Sequence, residues 1–197
     1  MSTSDDAMDE RAMDARVVRT RHDVLNAALG VLLDEGWEAV TQPYLARVTG
    51  YSRATIYKHW PTRALLLQEA FTHFADMPHH TPTGDLRFDL IAELTAFRTA
   101  MAEHRLDRAL AVLIDLTAFS PEMRAVRDKM VHDGEQVIRG MLATVLRGTE
   151  LESAALMLSG AILHSALMHG RPPADDVIAA AVDLTLRGVD PDGVRTG

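Results

Sequence analysis

The chain has 197 residues, 20 Lys and Arg against 28 Asp and Glu, a formal net charge of −8, and no cysteine. At 47% hydrophobic and 24% charged residues it has the composition of an ordinary globular protein. The absence of cysteine excludes a disulfide scaffold, a CxxC redox site, a thiolate zinc site and a cysteine nucleophile, and it agrees with a cytoplasmic location.

Residues 1–15 hold five acidic side chains and one arginine. They lack an apolar core of the kind a secretory signal needs, and their polar, aperiodic character predicts a disordered acidic tail. Residues 16–63 hold seven basic and four acidic side chains, the one net-basic stretch at +3. Such a local excess in an acidic chain marks a confined electrostatic footprint for a polyanion.

Helical periodicity starts near Arg19, with Val24, Ala28, Val31 and Leu32 at helical spacing and Gly36 as the stop. Thr41 caps a second helix, with Pro43 in its first turn and Val40 and Leu45 placed to staple it. Thr49-Gly50 breaks it near Val48. Ser52 caps a third helix, with Tyr51 and Ile56 as its staple, and Pro61 ends it. A fourth helix runs from about Thr62 to Met77. Further helical periods cover 85–104, 107–119, 121–147, 151–169 and 174–188. No segment shows the alternation of a half-buried strand, so the expected fold is all-α. The expected organisation is a tail over 1–15, a helix-turn-helix domain over 16–77, a linker loop over 78–84, a helical effector-binding and dimerisation domain over 85–188, and a frayed tail over 189–197. No apolar run reaches the ~18 residues of a membrane span. Ala154–Met168 comes nearest, but Ser159, His164 and Ser165 interrupt it, so no membrane partner is expected.

Residues 41–60, TQPYLARVTGYSRATIYKHW, read as a short helix, a glycine turn and a second short helix, the helix-turn-helix arrangement. Leu45, Ala46, Val48 and Ile56 supply its apolar seam. Arg53, Ala54 and Thr55 open the third helix, the end that enters a major groove in such motifs. Arginine can pair bidentately with guanine, and the methyl groups of Ala54 and Thr55 suit thymine. Tyr57, Lys58, His59 and Arg63 offer donors to phosphates. Thr41 and Gln42 stand at a helix N-terminus, which favours phosphate. The same shape also occurs as plain packing in all-α proteins, and spacing alone leaves both readings open.

This segment resembles the N-terminal domain of the tetracycline-repressor (TetR) family of bacterial transcription regulators. The matching residues are Thr41, Leu45-Ala46, Gly50, Ser52, Thr55-Ile56-Tyr57, His59-Trp60 and Arg63-Ala64-Leu65, with Leu25, Ala28, Leu32, Gly36 and Trp37 in the first helix. The resemblance covers about a quarter of the chain. It implies phosphate contacts from Thr41, Tyr57, His59 and Arg63, and bases facing Arg53, Ala54 and Thr55. Pro43 departs from the pattern, where a polar residue is common, and Tyr51 replaces a small aliphatic residue. Arg16, Arg19 and Arg21 precede the first helix, where some relatives carry a minor-groove arm.

The resemblance further implies a divergent helical C-terminal domain that dimerises and binds a small effector. Segment 151–169 is apolar nearly all round and needs cover on every side. With segment 174–188 it would form a four-helix interface about a two-fold axis. The candidate interface residues are Leu156, Leu158, Ile162, Leu163, Leu167, Val177, Ile178, Ala181 and Leu184. Candidate effector-pocket residues are Phe97, Met101, His104, Leu113, Leu116, Phe119, Met130 and Met141, since methionine and aromatic side chains suit adaptable apolar pockets. They suit an ordinary core equally. Few charges on these faces favour a hydrophobic or amphipathic effector. His79-His80, His164 and His169 carry no helix-compatible metal spacing with a completing carboxylate, so neither a metal nor a cofactor is expected.

The expected function is a ligand-responsive, homodimeric DNA-binding transcriptional regulator, a repressor released from a palindromic operator by its effector, and not an enzyme. Two rival classes stand beside it. An all-α enzyme lacks support from any nucleophile motif, Gly-rich phosphate loop or metal motif. A helical protein–protein interaction module would use the helix-turn-helix only for packing, and the basic 16–63 block argues against that.

Overall fold

The computed structural model describes the backbone of residues 3–75 and 79–188, with side chains described over 15–74 and 79–188. Among the described residues the regular structure is entirely helical, nine α-helices and one 3-10 turn with no strand, so the fold class is all-α. The chain divides into two compact units, Met1–Asp76 and Met77–Gly197.

The first unit contains α1 (Thr3–Glu35), a 3-10 turn (Trp37–Ala39), α2 (Gln42–Thr49), α3 (Arg53–His59) and α4 (Arg63–Ala75). Val24, Leu25, Ala28, Val31 and Leu32 of α1 are buried, the stripe that helical spacing produces on one side of a helix. They share a core with Leu45, Ile56, Trp60, Leu66 and Phe71, each at most 1% exposed. Gly36 follows α1 at φ +89°, a left-handed value that glycine adopts without strain.

The backbone of α1 starts at Thr3, not near Arg19, and takes in the described part of the expected tail. Ala and Met recur there, with one Glu and one Arg, and all favour a helix locally. The periodicity that signals burial begins later, which is why the sequence pattern marks a later start. The frayed tail expected over 189–197 lies outside the described residues.

The second unit contains α5 (Leu86–Glu103), α6 (Leu106–Thr117), α7 (Pro121–Leu142), α8 (Gly148–His169) and α9 (Asp175–Arg187). Helix α5 packs against α6, α7, α8 and α9. Asp85 caps it, its carboxylate accepting from the Phe88 N–H at 3.0 Å. Ser120 caps α7 by accepting from the Met123 N–H, with Pro121 at the helix start, where a missing N–H costs nothing. Two arginines tie α5 to α9. Arg87 pairs bidentately with Asp183 at 2.6 and 3.0 Å. Arg98 reaches both the Pro173 carbonyl, at 3.2 Å, and Asp175.

By length and composition, α8 is apolar enough to cross a membrane, so Ser159, His164 and Ser165 do not disqualify it as the sequence reading expects. Its inner residues Ala155, Leu158, Ile162 and Ala166 are nonetheless buried in the unit's own core. The hydroxyl of Ser159 donates to the Ala155 carbonyl at 2.6 Å, which satisfies it within the helix.

Candidate nucleic-acid interface

The turn Gly50-Tyr51-Ser52 joins α2 to α3. Gly50 sits at φ +77°, and its N–H donates to the Ala46 carbonyl at 3.0 Å. Any side chain here would meet the left-handed penalty that glycine escapes. The Thr41 hydroxyl accepts from the Tyr44 N–H at 3.3 Å, and the Ser52 hydroxyl from the Thr55 N–H at 3.0 Å. Both helices therefore start with an orphan donor satisfied. Leu45 and Ile56 form the seam at full burial, and Val40 is buried as the staple requires. Val48, expected in that seam, is exposed instead, because it falls at the end of a two-turn helix beyond the crossing. Tyr51 is anchored by donating its hydroxyl to Asp23 at 2.8 Å, which ties the turn to α1.

On α3, Arg53, Ala54, Tyr57 and Lys58 are all exposed. Spacings of three and four residues put them on one side of the helix. Thr55 is half-buried, and its hydroxyl shares a 2.8 Å hydrogen bond with that of Ser52. His59 is half-buried beside Trp60, with ring centroids 5.5 Å apart. Arg63 opens α4 with its guanidinium 4.2 Å from the Trp37 ring centroid, a cation–π contact that restricts a long side chain before any ligand arrives. Gln42 departs from expectation. It is buried, and its amide donates to the Trp60 carbonyl at 3.1 Å. That carbonyl ends α3 and would otherwise lack a partner, so Gln42 faces inward rather than toward a phosphate.

In the second unit, the candidate effector residues separate by depth. Met101, Leu113, Leu116 and Met141 are buried, and Phe97 and Met130 are half-buried. His104 and Phe119 are exposed, the latter at 81%, so they do not join the interior set. Each follows its helix into a connecting turn, where no layer lies above it.

The candidate dimer residues also divide. Leu158, Ile162 and Ile178 point into their own unit. Leu156, Leu167, Val177 and Leu184 are exposed, and Leu163 and Ala181 half-buried. Met157 and Met168, exposed beside them, extend the outer stripe. A helix apolar on all sides thus has one side packed and one side open.

The family described as "Tetracyclin repressor-like, C-terminal domain" matches residues 80–185, and "Bacterial regulatory proteins, tetR family" matches residues 24–70. The chain belongs to the TetR family. The uncharacterised HTH-type transcriptional regulator Rv1556 of Mycobacterium tuberculosis is 26% identical over 168 residues, covering 82% of this chain and 83% of the relative. Among solved structures, the TetR family transcription regulator SCO0332 superposes with a TM-score of 0.58 at 29% identity, covering 87% of this chain and 98% of that one. The flavonoid-responsive regulator FrrA superposes at 0.68 with 14% identity, covering 87% and 95%. As a TetR-family helix-turn-helix regulator, the chain is a DNA-binding protein.

Two acidic residues of this TetR-family chain escape a sequence reading. Asp89 and Glu93 of α5 are each 3% exposed and bind the loop before that helix. Asp89 accepts from the Thr83 N–H and hydroxyl, the Gly84 N–H and His80 Nε2, at 2.8–3.0 Å. Glu93 accepts from the His80 N–H at 2.8 Å and from His79 Nδ1 at 2.7 Å. Burial alone would raise the Asp89 carboxyl, but the Thr83, His80 and Gly84 donors outweigh it and hold it well below the usual carboxylate range. His79 and His80 are thus partners of carboxylates. Among the described residues no group of three or more metal-ligating side chains gathers. The signal was a donor-rich loop, His-His-Thr-Pro-Thr-Gly, directly before a helix whose acids stand next to buried Leu90 and Leu94.

Proposed function

We propose that this regulator is a ligand-responsive repressor that binds a pseudo-palindromic operator as a homodimer. The observation that carries the reading is the outer face of α3. Arg53, Ala54, Tyr57 and Lys58 are exposed on a helix whose seam and caps are internally satisfied. Arg53, Ala54 and Thr55 lie in its first turn, where base edges are read, with the Thr55 methyl as its apolar contribution. Tyr57, Lys58, His59, Arg63 and the N-terminus of α2 at Thr41 address phosphates, which set register. An acidic remainder of the chain keeps non-specific affinity low, since that affinity is largely electrostatic.

The open stripe of α8 and α9, Leu156, Leu167, Val177 and Leu184 with Met157 and Met168, is covered by the same stripe of a second copy. A two-fold pair presents two reading helices, so half-sites lie about one helical turn apart or a multiple of it. A hydrophobic or amphipathic effector is held in the second unit among Phe97, Met101, Leu113, Leu116, Met130 and Met141. It releases DNA by binding the DNA-incompetent state more tightly, since a ligand with equal affinity for both states shifts nothing.

The test is selection of bound fragments from random duplex DNA, with an Arg53→Ala/Tyr57→Ala variant in parallel. Enrichment of a pseudo-palindrome by the wild-type chain alone supports the reading. Equal enrichment by both proteins, or by neither after refolding from denaturant to strip bound effector, contradicts it.

A further inference from the structure

Trp60 closes the reading helix, and three elements hold it. It is 1% exposed. Its N–H completes α3 by donating to the Ile56 carbonyl at 2.8 Å. Pro61 follows, which drives Trp60 out of the helical region, and its backbone sits at φ −130°, ψ 83°. The freed carbonyl is taken by the Gln42 amide of α2 at 3.1 Å. The indole Nε1–H then donates to Glu69 of α4 at 2.6 Å. Glu69 is also ion-paired with Arg21 of α1, whose guanidinium lies 5.5 Å from the Trp60 ring centroid.

We infer that Glu69 is a positioning residue for sequence readout: through Trp60 it sets the orientation of the α3 face that carries Arg53. The inference rests on the DNA-reading assignment above. The geometry argues for it in three ways. A hydrogen bond to a carboxylate is about twice as strong as a neutral one, so this is the firmest of the Trp60 contacts. A seven-residue helix has too few internal bonds to hold its own orientation, and outside partners must do so. Arg21 neutralises the Glu69 charge at the same point, so the carboxylate can stay close to a buried ring without a bare charge beside it. Glu69 itself stands on α4 and is not among the side chains assigned to DNA contact. Arg21, a candidate for a DNA-contacting arm by sequence, is on this account part of the clamp.

A residue that acts on orientation differs from one that merely stabilises. A tilted reading helix loses base contacts but keeps phosphate electrostatics, so operator affinity falls while affinity for unrelated DNA stays. Loss of folded protein lowers both alike. The experiment measures affinity for the duplex enriched by the wild-type chain and for a scrambled duplex of equal length, at one salt concentration. Folded fraction is matched by circular dichroism. The proteins are wild type, Glu69→Ala, Glu69→Gln, Trp60→Phe and Trp60→Phe/Glu69→Ala.

Glu69→Ala should weaken operator binding about tenfold, as expected for a bond to a charged group, and leave scrambled-duplex binding within about twofold. Trp60→Phe, which keeps the ring and removes the N–H, should do the same. The double variant should be no worse than Trp60→Phe, because Glu69 acts through that N–H. Glu69→Gln, which keeps an acceptor without the ion pair, should fall between. Proportional loss on both duplexes, no loss on either, or additive losses in the double variant would overturn the inference. Should Glu69→Ala fail to fold, Trp60→Phe and Glu69→Gln read the same ratio. Failure of the wild-type chain to enrich any duplex would instead bring down the DNA-reading assignment, and this inference with it.

Discussion

Leu184→Asp tests the proposed dimer at the most exposed leucine of its open stripe. Leu184 is 65% exposed in the single chain. Fully burying a leucine stabilises by roughly 1.5–3 kcal/mol. About two-thirds of that side chain remains for a partner to cover, which gives roughly 1–2 kcal/mol. The two-fold axis counts every residue twice, so the pair contributes roughly 2–4 kcal/mol. Losing it would weaken such a dimer roughly 30- to 800-fold, and an aspartate carried into the apolar contact adds a desolvation cost. The fold of each chain should persist, because the replaced side chain supports little of its own core. Sedimentation equilibrium over a dilution series would measure the shift, with circular dichroism as the fold control. An unchanged dissociation constant for Leu184→Asp, or a wild-type chain that stays monomeric at tens of micromolar, would refute the reasoning.

Other substitutions separate reading, anchoring and packing. Arg53→Ala should cost roughly 1–3 kcal/mol of operator affinity and relax preference at one base pair, whereas Tyr57→Phe should weaken all duplexes alike; competition against single-base operator variants distinguishes them. Ser52→Ala removes the α3 cap and should lower stability by about 1 kcal/mol, read from a urea midpoint. Asp89 ionises more readily folded than unfolded, so its contribution is present above the ordinary carboxylate range. That contribution is lost as the pH falls through that range toward the lowered folded value. Asp89→Asn should therefore lower the melting temperature at neutral pH and flatten its decline on acidification. An equal slope for variant and wild type would count against the anchoring role.

What the sequence made legible follows from which signals are local. The caps Thr41 and Ser52, the left-handed Gly50 and the stop at Pro61 act within a few residues, and each appears where the pattern puts it. The apolarity of α8 likewise marked a helix, and its inner residues Ala155, Leu158 and Ile162 are buried while Leu156, Met157 and Met168 stay exposed. Orientation was the part that spacing could not carry. Leu156 and Leu158 are the same residue type two positions apart, yet one is exposed and the other buried, because only the neighbouring helices decide which side is inner. Gln42 read as a surface donor at a helix start, but its partner is a carbonyl 18 residues away. The sequence pattern does not single out Asp89 and Glu93, because their donors come from the preceding loop. For the candidate effector residues, a methionine that fills a core and one that lines a pocket have the same chemistry, so the sequence named a region and the structure sorted it by depth.

Hydroxyl-radical footprinting of the wild-type regulator on its enriched duplex tests whether it reads DNA as a two-fold pair. Two protected segments related by a dyad are expected, on one face of the duplex, about one helical turn apart or a multiple of it. Both should disappear together in the Arg53→Ala/Tyr57→Ala variant. Uniform protection along the duplex, a single protected segment, or a footprint that survives the double substitution would contradict that reading.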